Sequence, residues 1–187
     1  MTDFFTSDLH LFHKNILRLC DRPFSSMDEM CEGLIKEWNA KVGEQDHVYV
    51  LGDYSFGDAD ATYHLVTRRL NGHKHLIRGN HDPKRSAPPR GFASARDYHT
   101  LRVGDDYVVM SHFPMLSWHR QAHGSWMLHG HCHGNLRLPE TLQGSRIFDV
   151  GVDNVYKLTG AMAPVTLEQI KAIAGETRVA PLDRGAE

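Results

Sequence analysis

Short apolar runs in this chain end, again and again, in small groups of Asp, Asn and His: Asp8-Leu9-His10, Gly52-Asp53, Gly79-Asn80-His81-Asp82, Ser111-His112 and Gly130-His131-Cys132-His133. The runs before them are rich in β-forming residues. The groups therefore fall at strand ends, where an α/β sheet gathers its site residues. Together they offer carboxylates, one amide and several imidazoles, a donor set that suits two adjacent divalent cations held by nitrogen and oxygen. Taken singly, most of these groups read as well or better as polar residues in a turn; the Gly79-Asn80-His81-Asp82 string is the more specific one. The constraint comes from their joint occurrence after successive strand candidates.

Composition narrows the field. The 187 residues suffice for one sizeable core, expected over residues 1–175, with 176–187 as a polar tail. A net charge of −2 gives no global support to tight binding of long nucleic acid. Fourteen histidines are the one excess, and histidines grouped with Asp and Asn point to metal. Cys20, Cys31 and Cys132 are odd in number and lack C-x-x-C spacing, which argues against a disulfide framework or a zinc ribbon. Without a signal-peptide pattern or an apolar run long enough to cross a bilayer, the cytoplasm is the expected compartment and no membrane partner is expected.

Periodicity gives an α/β outline. Strands are expected at Asp3–Ser7, His47–Leu51, Lys74–Arg78, Ser125–Leu128 and Arg146–Val150, and a hairpin at Tyr98–Val103 and Tyr107–Met110 around Gly104. A short helix fits His13–Cys20. A stronger one follows Ser26, with Glu29 completing a capping-box pattern and Met27, Met30, Leu34, Ile35 and Trp38 on one face. Asp60–Leu70 reads as a helix, and Thr166 with Gln169 opens a last one. Helices alternating with strands, then a run of strands, indicate a mixed sheet.

Each group has its own chemistry. Asp8 and His10, two residues apart on an extended segment, would face one cation together. Asp53 could give one carboxylate oxygen to each ion. Asn80 offers a neutral oxygen. His81, diverging from it in a tight loop, suits a general acid. His112 ends another strand, and His131 and His133 could reach two different ions from one loop, with Cys132 turned away. Lys84, Arg85, Trp118 and His123 are the candidate substrate contacts, although a solvated loop for the basic pair and a core position for the tryptophan are the plainer readings.

These residues, in this order, resemble the calcineurin-like metallophosphoesterase superfamily, whose pattern is D-x-H, G-D, G-N-H-[DE], H and G-H-x-H. The match runs from Asp8 to His133, and Gly151-Val152-Asp153-Asn154 is similar to the small bacterial and phage members. The resemblance implies a four-layer α/β/β/α sandwich of two mixed sheets flanked by helices. It also implies that Asp8, His10, Asp53 and His133 hold a first ion, that Asp53, Asn80, His112 and His131 hold a second, and that His81 protonates the leaving group. Where the phosphoprotein phosphatases of the superfamily continue to Asp-Arg-Gly, this chain has Tyr54-Ser55-Phe56-Gly57. The phosphate-gripping arginine and the carboxylate that orients the acid histidine are missing there, which leaves Asp82 as the candidate to orient His81.

The expected function is hydrolysis of phosphodiesters or nucleotide-type esters by water activated between two cations. Manganese is the first choice, and iron, zinc and nickel suit the same donors. The alternatives are a phosphomonoester phosphatase and a non-catalytic metal-binding scaffold of the same fold. The substrate is then a small phosphate ester or nucleotide.

Overall fold

Alternation along three short strands leaves apolar side chains on both faces of one sheet. Phe4, Val48, Val50 and Leu76 face one way, and Phe5, Tyr49, Leu51 and Ile77 face the other. A sheet that is apolar on both sides needs a layer on each, and the computed structural model, which describes residues 1–84 and 87–179, supplies them. The strands are β1 (Asp3–Thr6), β2 (His47–Val50) and β3 (His73–Ile77), which run parallel and are extended by β4 (Ser94–Arg96) at one edge and an antiparallel β9 (Val165–Thr166) at the other. The second sheet has the order β5 (Tyr98–Val103), β6 (Asp106–Ser111), β7 (Trp126–His129), β8 (Ile147–Asp149), with an antiparallel hairpin followed by parallel pairs. Both sheets are mixed.

On the outer face of the first sheet lie α1 (Ile16–Leu19), α2 (Met27–Asn39) and α3 (Ala59–Arg68). Helix α2 starts where its sequence says. Ser26 is extended and its side chain accepts from the Glu29 amide, while the Glu29 carboxylate turns back to the Ser25 amide at 2.7 Å. Met30, Leu34, Ile35 and Trp38 bury its inner face. Between the sheets, Phe5, Leu51 and Ile77 meet Val108, Met110, Trp126 and Leu128, with Leu167 and Ile170 of α5 (Leu167–Ala174) closing the layer. Thr166 and Gln169 form the expected capping box. The outer face of the second sheet is covered more thinly: Val109 and Met127 pack on Trp118 and Leu142, next to the 3-10 turns Gln121–His123 and Glu140–Leu142. Helix α4 (Val152–Thr159) follows β8 directly, an element the sequence reading did not separate. Past α5, Arg178 donates to the carbonyls of Glu140, Thr141 and Gln143, and the tail from residue 180 lies outside the described residues. No described helix is long and apolar enough to cross a membrane.

At the N-terminal ends of β2 and β3, away from the strand ends that carry the polar groups, lies a histidine ladder. His75 Nε2 is 2.8 Å from His47 Nδ1, and its Nδ1 is 2.9 Å from Ser94 Oγ. Burial, reinforced by His47, His99, His73 and Arg96, pushes His75 down to about 4. Its unfolded counterpart protonates near 6.5. The unfolded chain therefore binds the extra proton first, and the His75 contribution to stability is complete above pH 6.5 and declines as pH falls towards 4. Discounted for partial exposure, the loss should be about 2 kcal/mol. His75→Gln should flatten that segment of a denaturant-stability profile relative to the parent; an unchanged profile would remove His75 as its cause.

Candidate metal centre

The C-terminal ends of both sheets open onto one spot. The first sheet sends Asp8 and His10 from the loop after β1, Asp53 from the turn after β2 and Asn80 from the turn after β3. The second sends His112 from the end of β6 and His131 and His133 from the loop after β7. Asp8, His10 and His133 offer donor atoms within 4.8 Å of one another, and so do Asp8, Asp53 and His112. His10 Nε2 lies 3.8 Å from Asp8 Oδ1 and 3.9 Å from Asp53 Oδ2. His112 Nε2 lies 3.6 Å from Asp53 Oδ2, and His133 Nε2 lies 3.9 Å from Asp8 Oδ1. Asn80 Oδ1 is 3.0 Å from His112 Nε2. His131 stands further out, its ring centroid 5.1 Å from that of His112 and its amide donating to Asp8 Oδ2 at 2.9 Å.

The backbone that achieves this convergence is not extended. Asp8, His10, Asp53, His131 and His133 all have φ between 49° and 68°, a region non-glycine residues seldom enter and that concentrates at functional sites. The sequence expectation that Asp8 and His10 share a direction because they sit on a strand is thus corrected: β1 ends at Thr6, and each residue is turned in by its own left-handed backbone. Two glycines make the approach possible. Gly52 has φ +93° and lies so close to Gly79 that a Cβ would come within 2.7 Å of that backbone. A Cβ at Gly130 would run into Ser7 and Asp8.

The imidazoles are held by their far nitrogens. His112 Nδ1 donates to the Leu51 carbonyl at 2.7 Å, His133 Nδ1 bonds Asp153 Oδ2 at 2.6 Å, and His10 Nδ1 is 3.3 Å from His13 Nδ1. Each fixes the ring so that Nε2 faces the cluster, the arrangement that outer partners give to metal-bound histidines. His112 Nε2 and Asn80 Oδ1, 3.0 Å apart, are close enough to reach one cation together. Asp8 Oδ1 and His10 Nε2 are buried and lack any hydrogen-bond partner. Separations near 3.6–3.9 Å are too long for hydrogen bonds but match the spacing of two ligands on one ion with bonds of about 2.1 Å. The residues present therefore fit a divalent metal. Burial works to raise the Asp8 carboxyl, yet the surrounding imidazoles hold it below the usual carboxylate range. Burial and the His112 ring keep His131 below the ordinary imidazole value, as an unprotonated donor.

Two residues that carry no motif complete the frame. Arg22, fully buried, grips Asp153 with Nε and Nη2 at 2.9 Å each and donates to the carbonyls of Asp8 and Leu9 at 2.7 and 2.8 Å. One buried arginine thus ties the Asp8 loop to the start of α4, and its partner Asp153 holds His133. Burial opposes the charges, but the ion pair prevails: Asp153 is lowered to about 2 and His133 raised to about 10. Cys20 Sγ adds a contact to His133 Nδ1 at 3.4 Å. Asp153 was visible only as part of a resemblance, and Arg22 gave no signal at all.

Asp82 does not orient His81. Its buried carboxylate accepts the amides of Asp53 and Gly79 at 2.9 and 2.7 Å and of Tyr54 at 3.2 Å, which locks the Asp53 turn. His81 is exposed, its amide donates to Asp53 Oδ1 at 3.0 Å, and its ring packs 4.9 Å from Phe56. With Oδ1 engaged, Oδ2 is the Asp53 oxygen that faces the imidazoles of both subsets. Trp118 is corrected to a core residue: it is 6% exposed, its indole N–H donates to Ser125 O at 3.2 Å, and it has no free face for stacking. His123 lies exposed on the 3-10 turn and Lys84 exposed on the loop after His81; Arg85 falls outside the described residues.

Residues 3–159 match the family model of calcineurin-like phosphoesterases. The chain is 36% identical over 131 residues to an uncharacterized protein of Methanocaldococcus jannaschii, covering 69% of this chain and 68% of that one. It is 33% identical to the gene 66 protein of Mycobacterium phage D29, covering 82% of this chain and 89% of that one. A crystal structure of an Aquifex aeolicus protein of unknown function superposes over 91% of this chain and 98% of the other, at a TM-score of 0.67 and 18% identity, a likeness of fold. The chain belongs to the calcineurin-like phosphoesterase family.

Proposed function

We propose that the protein is a binuclear metal-dependent phosphoesterase that hydrolyses phosphodiesters or nucleotide-type esters. The observation that supports it most is the pair of partnerless buried donors, Asp8 Oδ1 and His10 Nε2, set among imidazole nitrogens whose other ring atoms are tied down. Desolvating such groups costs free energy that a bound cation would return. Two divalent ions, for which manganese is our first choice, would lower the pKa of water and offset charge on the phosphate. Asp53 is the shared donor. Asp8, His10 and His133 form one side of the centre and Asn80, His112 and His131 the other.

His81 stands at the rim, exposed, where it can hold a proton for the departing oxygen. Phe56 lies in the stretch Tyr54-Ser55-Phe56-Gly57, which has no arginine where phosphoprotein phosphatases continue to Asp-Arg-Gly. Its ring stacks on His13 at 4.1 Å and lies 5.2 Å from His10, so that edge offers an apolar ring and no cation to a phosphoprotein. This favours a diester or nucleotide over a phosphoprotein, with a monoester as the nearer alternative. A scaffold without activity would not need the complete donor set. The three free cysteines accord with the reducing cytoplasm.

The deciding experiment is a panel of an aryl monoester, an aryl diester, cyclic nucleotides and a short single strand, each with manganese and with chelator. Manganese-dependent hydrolysis of at least one is expected. Inertness of metal-loaded protein towards all would favour the scaffold. His81→Ala should lower kcat for alkyl esters by about 10² or more and for aryl esters far less, with metal content intact. Equal losses for both would remove His81 as the acid.

A further inference from the structure

Next to the donor cluster, on the His81 side, lies a cavity of about 580 Å³, within the range of small-molecule sites. His81 is one of its walls. A group attached to an oxygen that His81 protonates therefore has this cavity as an adjoining enclosure. Phe56 lines the cavity where it meets the donors, its ring 4.1 Å from that of His13 and 4.9 Å from that of His81. The remaining walls include Tyr54, Tyr63 and a run of prolines. The Arg90 guanidinium lies 3.8 Å over the Tyr63 ring and is steadied by Asp60 at 3.4 Å. The Ser55 and Thr62 hydroxyls bond each other at 2.7 Å and Ser55 Oγ also accepts the Gly57 amide at 3.1 Å, which leaves one hydroxyl hydrogen of the pair for a ligand. No described wall residue carries a carboxylate.

We propose that this cavity is a leaving-group subsite that takes the planar aromatic ring of the departing alcohol, the nucleoside of a nucleotide ester being the class it fits. The inference rests on the phosphoesterase reading above and deepens it. An aliphatic chain would leave the guanidinium–tyrosine plate and the hydroxyl pair unused. A nucleobase offers a π face to the plate and edge donors and acceptors to the hydroxyls. The consequence is a choice of bond. Water attacks phosphorus, the bond from phosphorus to the nucleoside oxygen breaks, and His81 delivers its proton to that oxygen. The attacking water releases a proton to solvent, from which His81 is reprotonated.

The methyl ester of adenosine 5′-phosphate tests this, because its two ester bonds lead to different products. Manganese-loaded protein should release adenosine and methyl phosphate in about tenfold or greater excess over AMP and methanol. Ala59→Trp, which fills the cavity from the exposed start of α3, should collapse that excess, as should Arg90→Ala, an exposed change that leaves the fold in place. Equal release of both product pairs by the parent, or an excess untouched in both variants, would overturn the subsite. If the metal-loaded protein cleaves neither this ester nor any member of the panel above, the phosphoesterase reading fails. The cavity is then judged by AMP titration followed by NMR: binding lost in Ala59→Trp upholds it, and absence of binding overturns it.

Discussion

Asp53→Asn is expected to remove nearly all activity while leaving the fold intact. The carboxylate is buried, takes the His81 amide on Oδ1 and turns Oδ2 towards His10 and His112. An asparagine there must aim its NH₂ either at the His81 N–H, donor against donor, or at the imidazole nitrogens, where no cation could share it. Either outcome strips the shared donor, and kcat/KM should drop by about 10³-fold or more. On the proposed two-ion centre, metal analysis should find the complement reduced to one ion per chain or none. Circular dichroism should remain native, because Asp82 holds the turn through backbone amides. Full metal content with full activity in this variant would end the claim that Asp53 is shared.

Arg22 and Asp153 should separate stability from metal binding. Arg22→Ala leaves a buried carboxylate and the carbonyls of Asp8 and Leu9 without their partner. Breaking a buried pair in this way costs about 3–5 kcal/mol, so the variant should unfold at much lower denaturant. Asp153→Asn keeps the size and an oxygen for the guanidinium but weakens the hold on His133 Nδ1. Its main effect should be a loss of about 10–100-fold in metal affinity, measured by calorimetric titration of manganese, with a smaller stability change. Restored affinity in Asp153→Glu would mark an electrostatic hold rather than packing. If Asp153→Asn binds manganese as tightly as the parent, Asp153 has no positioning role towards His133.

Much of this architecture could be read from the chain before any coordinates. The polar groups do follow strands, because a short β-rich run ending in Gly, Asp or Asn leaves little else for the backbone to do. Ser26 and Thr166 started helices as their spacing required. What stayed hidden has physical reasons. Strands β4 and β9 are 3 and 2 residues long, too brief to show a period. The left-handed backbone of the donors is a tertiary effect: residue type hints at it for Asp, but nothing local demands it of His10 or His133. Arg22 is silent because its meaning lies in residue 153, far along the chain. Asp82 was misjudged because adjacency to His81 suggested partnership, whereas a side chain next in sequence leaves a tight turn in another direction.

The division of donors between the sheets also governs when the centre can exist during synthesis. The N-terminal half contributes Asp8, Asp53 and Asn80 with a single imidazole, His10. The remaining imidazoles, at 112, 131 and 133, emerge from the ribosome later, and the carboxylate that steadies the last of them comes only at 153. A nascent chain that has finished β4 thus presents three oxygen donors and one imidazole, without the three imidazoles that the second sheet adds. The complete donor set of the proposed centre, with its steadying carboxylate, therefore exists only once the chain has been made through residue 153.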